Sequence, residues 1–303
     1  MKHIKNLLKI TLLFLIFAIS SCKKSNDVVV DTIVTPAPAP PLAVQNTNDV
    51  AYGADALQKF DMILPAGRTT ATTKVLIIIH GGGWTGGDKA DMTSFMIALK
   101  DSLPTYAFMN INYRLANAAT GANAFPTQEN DVKAAVDFIN NNRATYNISD
   151  KISLLGASAG GHLALLQAYK YNTPKIKAVV DLYGPTDMSE MYNNPGSASP
   201  PAYAIGYLTT GSLAGTPTSN PTAFSQSSPI TFVNAQSPPT IMFHGNMDNL
   251  VRFSQSSVLN TKLGVNGVVK SLIAYANEGH AYTGVSLYDT FIKTIAFLKA
   301  NVQ

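Results

Sequence analysis

Continuous apolar runs recur along the chain and mark its framework. Lys74-Val75-Leu76-Ile77-Ile78-Ile79 is the clearest, and Tyr106–Tyr113, Lys151–Leu155, Ile176–Leu182, Pro239–Phe243 and Val268–Tyr275 share its character. A strand reads as an unbroken apolar run when both of its faces are covered, as at the centre of a parallel sheet. Leu57–Leu64 alternates more loosely and stops at Pro65, which predicts an early antiparallel edge strand. Between the runs the period becomes that of a helix. Asp91–Ser102 reads as the first helix, and Phe125–Asn141 carries Val132, Val136 and Ile139 at helical spacing. Ala159–Tyr171 follows, then Phe253–Leu263, stopped by Gly264, and Ser286–Val302 with Phe291, Ile295 and Leu298 on one side. Strands alternating with helices predict the α/β class, a doubly wound and mostly parallel sheet with helices on both faces.

Two stretches depart from this alternation. From Met188 to about Ser228 the composition shifts to Pro, Ser, Ala, Gly and Tyr, which reads as a small cap insertion over 188–228. The N-terminus has a basic start at Lys2, Lys5 and Lys9, an apolar run from Ile10 to Ile19, and then Ser20-Ser21-Cys22. That is the build of a secretory signal over 1–21, too short for a membrane span. Small residues directly before the cysteine resemble a bacterial lipobox. Cys22 is the chain's one cysteine, so no disulfide forms within a chain, and lipidation of its thiol explains an odd cysteine in an exported protein. Residues 22–48 then read as a lipid-anchored tether, in which Thr35-Pro36-Ala37-Pro38-Ala39-Pro40-Pro41 favours extended polyproline conformation. The expected location is a bacterial membrane, on its periplasmic face or at the cell surface. The α/β domain is expected over 49–303.

Composition changes this picture little. A 46% hydrophobic content supplies an ample core, and 13% charged residues argues against general disorder. The net charge of +4 includes the three signal lysines; without them 19 basic residues face 18 acidic ones, which gives no electrostatic case for binding nucleic acid.

The candidate chemistry gathers where runs end. Lys151–Leu155 leads into Gly156-Ala157-Ser158-Ala159-Gly160-Gly161-His162. G-x-S-x-G between a strand and a helix is a turn so tight that side chains two before and two after the serine would meet backbone. It lifts the Ser158 hydroxyl above the sheet edge, at the positive end of the following helix. After Ile79 comes His80-Gly81-Gly82-Gly83-Trp84, whose glycines let backbone N–H groups approach a developing oxyanion. No His or Cys pair has metal-ligand spacing, and no Gly-rich nucleotide motif accompanies the triple glycine, so no cofactor is called for.

With H-G-G-G-W-x-x-G-D-K (His80–Lys89), N-Y-R-L (Asn112–Leu115), G-A-S-A-G-G-H, Y-G-P-T-D (Tyr183–Asp187), H-G-N-M-D-N-L-V (His244–Val251) and Gly279-His280 in this order, the chain from about Val50 onward resembles α/β-hydrolase carboxylesterases of the H-G-G-G type. That group includes hormone-sensitive lipases and bacterial feruloyl and acetylxylan esterases. The resemblance implies the α/β-hydrolase fold and a nucleophile–acid–base order of Ser158, Asp248 and His280. Asp187 is the alternative acid, one strand earlier, and Asp181 falls inside a strand. The resemblance implies an oxyanion hole from the N–H groups of Gly82, Gly83 and Ala159, with His80 shaping the loop. His162 reads as structural, and His244 lies too close to Asp248 along the chain to suit the family's base position. Arg114 reads as a structural ion pair fixing the loop, with substrate binding the alternative, and Glu129 and Asp131 read as structural carboxylates. Trp84, beside the oxyanion glycines, is expected either near the acyl side of a bound ester or packed under the loop; Tyr183, Tyr192, Tyr203 and Tyr207 are candidates for a substrate-facing wall, with packing between cap and body the alternative for the last three. The implied activity is hydrolysis of short-chain or aryl esters, such as acetyl or feruloyl groups on plant polysaccharide. An exopeptidase, an arylformamidase and an inactive binding module on the same fold are the alternatives.

Overall fold

A strand offers successive side chains to opposite faces, so a run with no polar position needs cover on both. The computed structural model, which describes residues 40–117, 120–171, 174–197 and 216–303, supplies that cover. Strand β3 (Lys74–Ile79) sends Val75, Ile77 and Ile79 into one core and Leu76 and Ile78 into the other. Its neighbours divide in the same way. The strands are β1 (Gln45–Ala51), β2 (Lys59–Leu64), β3, β4 (Tyr106–Ile111), β5 (Ile152–Ala157), β6 (Ala178–Leu182), β7 (Thr240–Gly245) and β8 (Lys270–Tyr275). They form one sheet in the order β1-β2-β4-β3-β5-β6-β7-β8. Pairing is antiparallel from β1 to β2 and β2 to β4, and parallel from β4 onward. This is the α/β-hydrolase fold.

The helices cover the two faces by their own stripes. On one side α1 (Thr93–Lys100) buries Phe95, Met96 and Leu99, and α7 (Gly284–Asn301) adds Leu298, with Phe291 and Ile295 packed beside it. On the other side α2 (Thr127–Asn141) buries Val132, Val136 and Ile139, beside α3 (Ala159–Leu166) and α6 (Ser254–Val265). At the insertion's borders lie α4 (Met188–Asn193) and α5 (Pro221–Gln226); residues 198–215 fall outside the described residues.

Several boundaries differ from expectation. The strand β1 was not foreseen. It begins at Gln45, inside the stretch assigned to the tether, and makes β2 an inner strand rather than the edge. Its sequence, Gln-Asn-Thr-Asn-Asp-Val-Ala, is largely exposed and shows no apolar alternation, so it is specified by the backbone ladder to β2. The first helix is shorter than expected because a tighter 3-10 turn, Lys89–Met92, leads into it. The elbow helix ends at Leu166 and continues as a wider π turn to Tyr171.

Strand order places the chemistry. From β3 the chain leaves through α1 to β4 on one flank, whereas from β5 it leaves through α3 on the opposite face towards β6. The loops after these adjacent strands therefore diverge, opening a crevice at their carboxyl ends.

Candidate active site

The turn after β5 is built as its glycines require. A Cβ on Gly156 would lie 2.1 Å from the Gly160 carbonyl oxygen, and one on Gly160 would lie 2.1 Å from that of Ile79. No side chain fits either place. Between them Ser158 is held at φ 54°, ψ −120°, a strained conformation for a residue with a Cβ. The amide of Ser158 donates to the Leu182 carbonyl at 2.8 Å, which locks the turn to β6.

The loops after β7 and β8 complete a chain of hydrogen bonds. His280 Nε2 lies 3.0 Å from Ser158 Oγ, and its Nδ1 lies 2.7 Å from Asp248 Oδ2. The carboxylate can only accept, so Nδ1 carries the proton and Nε2 turns its lone pair towards the serine hydroxyl. Asp248 is fixed in turn: its Oδ1 accepts from the Leu250 and Val251 amides, both at 2.9 Å. Its Oδ2 also lies 3.2 Å from His244 Nε2. Burial opposes the charge of Asp248, yet hydrogen bonds from His244 and His280 outweigh it and hold the carboxyl well below the usual carboxylate range. Asp187, the alternative acid, is elsewhere engaged: it caps α4 by accepting from the Ser189 and Glu190 amides, both at 3.0 Å. Asp181 is inside β6, as expected, and fully buried. Its Oδ1 accepts from the Gly184 amide at 3.0 Å, its Oδ2 has no partner among the described residues, and burial pushes its pKa well up.

The glycine loop after β3 lies against the elbow. A Cβ on Gly81 would meet the Ala157 carbonyl oxygen at 2.9 Å and Ser158 Cβ at 3.3 Å. Gly82 and Gly83 adopt φ of 106° and 59°, and the Gly86 amide closes the turn onto the Gly82 carbonyl at 2.9 Å. Among the described residues no acceptor takes the N–H groups of Gly82, Gly83 or Ala159. Tyr113 supports the loop from beneath: its ring stacks on His80 at 4.3 Å and its hydroxyl donates to the His80 carbonyl at 3.0 Å. Lys89 pairs with Asp49 and Asp61, and Arg114 forms a two-pronged pair with Asp131, its Nε 2.9 Å from Oδ2 and its Nη2 2.6 Å from Oδ1. Glu129 takes Lys170 at 2.8 Å and the Tyr171 hydroxyl at 2.6 Å. These motif residues are braces for the loops.

The substrate-wall expectations divide. Tyr183 is near the chemistry, its ring 4.6 Å from that of His280. Trp84 is not on the acyl side: it is 6% exposed, belongs to the core beneath the loop, and its indole N–H donates to His162 Nδ1 at 3.2 Å. A backbone φ of 62° turns it inward, a direction that sequence adjacency to the glycines does not reveal. Tyr192 packs edge-on against Phe224 at 5.5 Å. Tyr203, Tyr207 and Cys22 lie outside the described residues. A contact missed in sequence belongs to His244, which lies only four residues before Asp248 and reads there as too close along the chain; a histidine at a strand end beside a loop acid is the signal to look for.

Two cavities lie near these residues, one reaching Ala157 and Tyr183 and the other reaching Asp248. One of about 380 Å³ lies between α1 and α7, lined by Phe95, Ala157, Tyr183, Tyr282 and Phe291 among others. The other, about 720 Å³, is more polar and is lined by Glu190, Asn246, Asp248, Asn249, Arg252 and Phe253 among others.

This geometry meets a family pattern over most of its length: the BD-FAE profile matches residues 60–263. The chain belongs to the BD-FAE family. The BD-FAE match takes in β2, the glycine loop, the elbow and the acid loop, and stops short of β8 and His280. Esterase LipQ of Mycobacterium tuberculosis is 28% identical over 256 residues, which cover 78% of this chain and 57% of LipQ. The chain thus spans little more than half the length of that relative. A solved structure described as a truncated form of carbohydrate esterase from gut microbiota superposes with a TM-score of 0.71 at 26% identity, covering 88% of this chain and 99% of that one. A bacterial heroin esterase shares the fold, with a TM-score of 0.71 at 20% identity, over 86% of this chain and 85% of its own.

Proposed function

We propose that this BD-FAE protein is a serine hydrolase of carboxylic esters. The observation that carries the reading is the continuous bond chain from Ser158 through His280 to Asp248, beside three unclaimed N–H groups. A serine hydroxyl is a weak nucleophile and needs a base within hydrogen-bond reach, which His280 Nε2 provides. His280 takes the hydroxyl proton as Ser158 Oγ attacks the ester carbonyl. Asp248 stabilises the imidazolium and keeps its tautomer. The N–H groups of Gly82, Gly83 and Ala159 receive the negative oxygen of the tetrahedral intermediate. Its collapse expels the alcohol, protonated by His280, and leaves an acyl-serine. A water deprotonated by the same histidine then releases the acid.

The substrate class that fits is a short or aromatic acyl group on a carbohydrate alcohol. The aromatic cavity beside Tyr183 and Tyr282 suits a flat acyl group. The polar cavity beside the acid loop suits hydroxyl-rich groups. The carbohydrate esterase likeness supports the same direction. The signal-like run before Ser20-Ser21-Cys22 supports export and anchoring through Cys22 lipid. The deciding experiment compares wild type and Ser158→Ala on p-nitrophenyl acetate, methyl ferulate and acetylated xylan. The wild type should turn over at least one, and the variant should lose about 10⁴-fold or more in kcat. Activity in the variant above a few per cent would remove Ser158 from the mechanism.

A further inference from the structure

Three successive residues of the glycine loop sit at positive φ: Gly82 at 106°, Gly83 at 59° and Trp84 at 62°. Glycine adopts this region freely, whereas a bulky side chain does so only when its surroundings over-determine it. Two contacts hold Trp84 there. The Ala116 amide donates to its carbonyl at 2.9 Å, and its indole N–H donates to His162 Nδ1 at 3.2 Å, the rings meeting edge-on at 5.3 Å. His162 is fully buried in the elbow helix, four residues after Ser158. Its other nitrogen, Nε2, lies 2.7 Å from the Ser227 carbonyl oxygen. That carbonyl can only accept, so Nε2 carries the proton and Nδ1 is bare to take the indole N–H. One neutral tautomer therefore satisfies both ends. Burial supports that state by lowering the His162 pKa to about 4, and the nearby charge of Lys170 acts in the same direction.

We infer that His162 is a positioning residue for the oxyanion loop. It ties Trp84 to the elbow helix on one side and to Ser227, at the border of the insertion, on the other. Gly82 and Gly83 directly precede Trp84, so its anchorage sets where their N–H groups stand relative to Ser158. Without the anchor the loop relaxes out of positive φ, and the N–H groups leave the position that the developing oxyanion needs. Binding of the uncharged ester is affected less than the chemical step, because the oxyanion exists only in the transition state.

The inference rests on the esterase reading and is tested so that the two fail separately. His162→Leu keeps volume and removes both hydrogen bonds; His162→Gln offers one acceptor and one donor; Trp84→Phe keeps a ring and removes the N–H. On p-nitrophenyl acetate His162→Leu and Trp84→Phe should each lower kcat about 10- to 100-fold with KM within about threefold, since displacements of the order of an ångström cost rates of that size. His162→Gln should recover part of the loss, and the double variant His162→Leu/Trp84→Phe should lose little more than either single one. Trp84 is the only tryptophan in the chain, so its fluorescence reports this loop alone. Acrylamide quenching should be weak in the wild type and several-fold stronger in His162→Leu. Folded His162→Leu with kcat within twofold of wild type would overturn the inference. A wild type that turns over no ester would overturn the esterase reading instead, and quenching would then decide the anchor, unchanged accessibility in His162→Leu sinking it. Should His162→Leu fail to fold, Trp84→Phe with wild-type kcat would have the same force.

Discussion

Replacing Asp248 by Asn tests the acid by the contacts that surround it. Four N–H groups face the carboxylate: the Leu250 and Val251 amides on Oδ1, His280 on Oδ2, and His244 Nε2, which lies 3.2 Å from Oδ2 and shares its proton with the Val251 carbonyl at 2.8 Å. All four suit a group that only accepts. An Asn side chain has one accepting oxygen and one donating nitrogen, so one pair of partners must face an NH2. If the oxygen stays with the two amides, the NH2 confronts His280, which must move its proton from Nδ1 to Nε2 to meet it. The Nε2 lone pair that faces Ser158 at 3.0 Å is then lost. If the amide flips, two backbone donors meet a third donor and the loop after β7 is distorted. Neither orientation preserves the base. A wrong tautomer in such a triad costs of order 10⁴-fold in kcat, or about 5.5 kcal/mol of transition-state stabilisation. The assay is steady-state hydrolysis of p-nitrophenyl acetate, with circular dichroism to verify folding. Asp187→Asn is the matched control: its target caps α4, a task Asn performs nearly as well, and its kcat should stay within about twofold. Asp248→Asn with more than a tenth of wild-type kcat, or a larger loss in Asp187→Asn, would refute the assignment.

Gly160→Ala should cost about 3 kcal/mol or more and reduce soluble yield, because its Cβ would press on the backbone carbonyls of Ile79 and His80 at 2.1 and 2.5 Å; a melting temperature equal to wild type would contradict the elbow geometry. Burial raises the folded pKa of Asp181 above its unfolded value, so its contribution to stability is full below about pH 4 and lost as pH rises through the folded value. The difference in melting temperature between Asp181→Asn and wild type should therefore grow in favour of the variant as pH rises from 4; parallel curves would show that the folded pKa is not raised. Cys22→Ala should abolish incorporation of radioactive fatty acid into the protein in cells, and equal labelling would end the lipoprotein proposal.

Much of the site was legible because its chemistry demands particular residues in short, rigid spacings. The two elbow glycines are the only residues that fit, and the strand runs around them declare a parallel sheet. What stayed hidden was decided by long-range contacts. In β1 the ladder to β2 substitutes for an apolar pattern, so Gln45–Ala51 looks like linker. Trp84 sits where a substrate contact is expected, and only its burial and its bond to His162 reveal that it faces the core. The bond from His244 to Asp248 depends on how the turn after β7 folds back, which local propensity does not encode.

The bond between Ser158 and His280 joins residues 122 positions apart in the chain, and that separation orders events during synthesis. A growing chain exposes the elbow, with β3 and its glycine loop already made, long before its base is translated. Contacts so far apart in sequence form late, since the intervening loop must first be closed. Until β8 docks beside β7, Ser158 is an ordinary hydroxyl on a strained turn. On the proposed mechanism Ser158 gains its base only when the sheet is complete, so a chain cut short before residue 280 should carry a serine without a base.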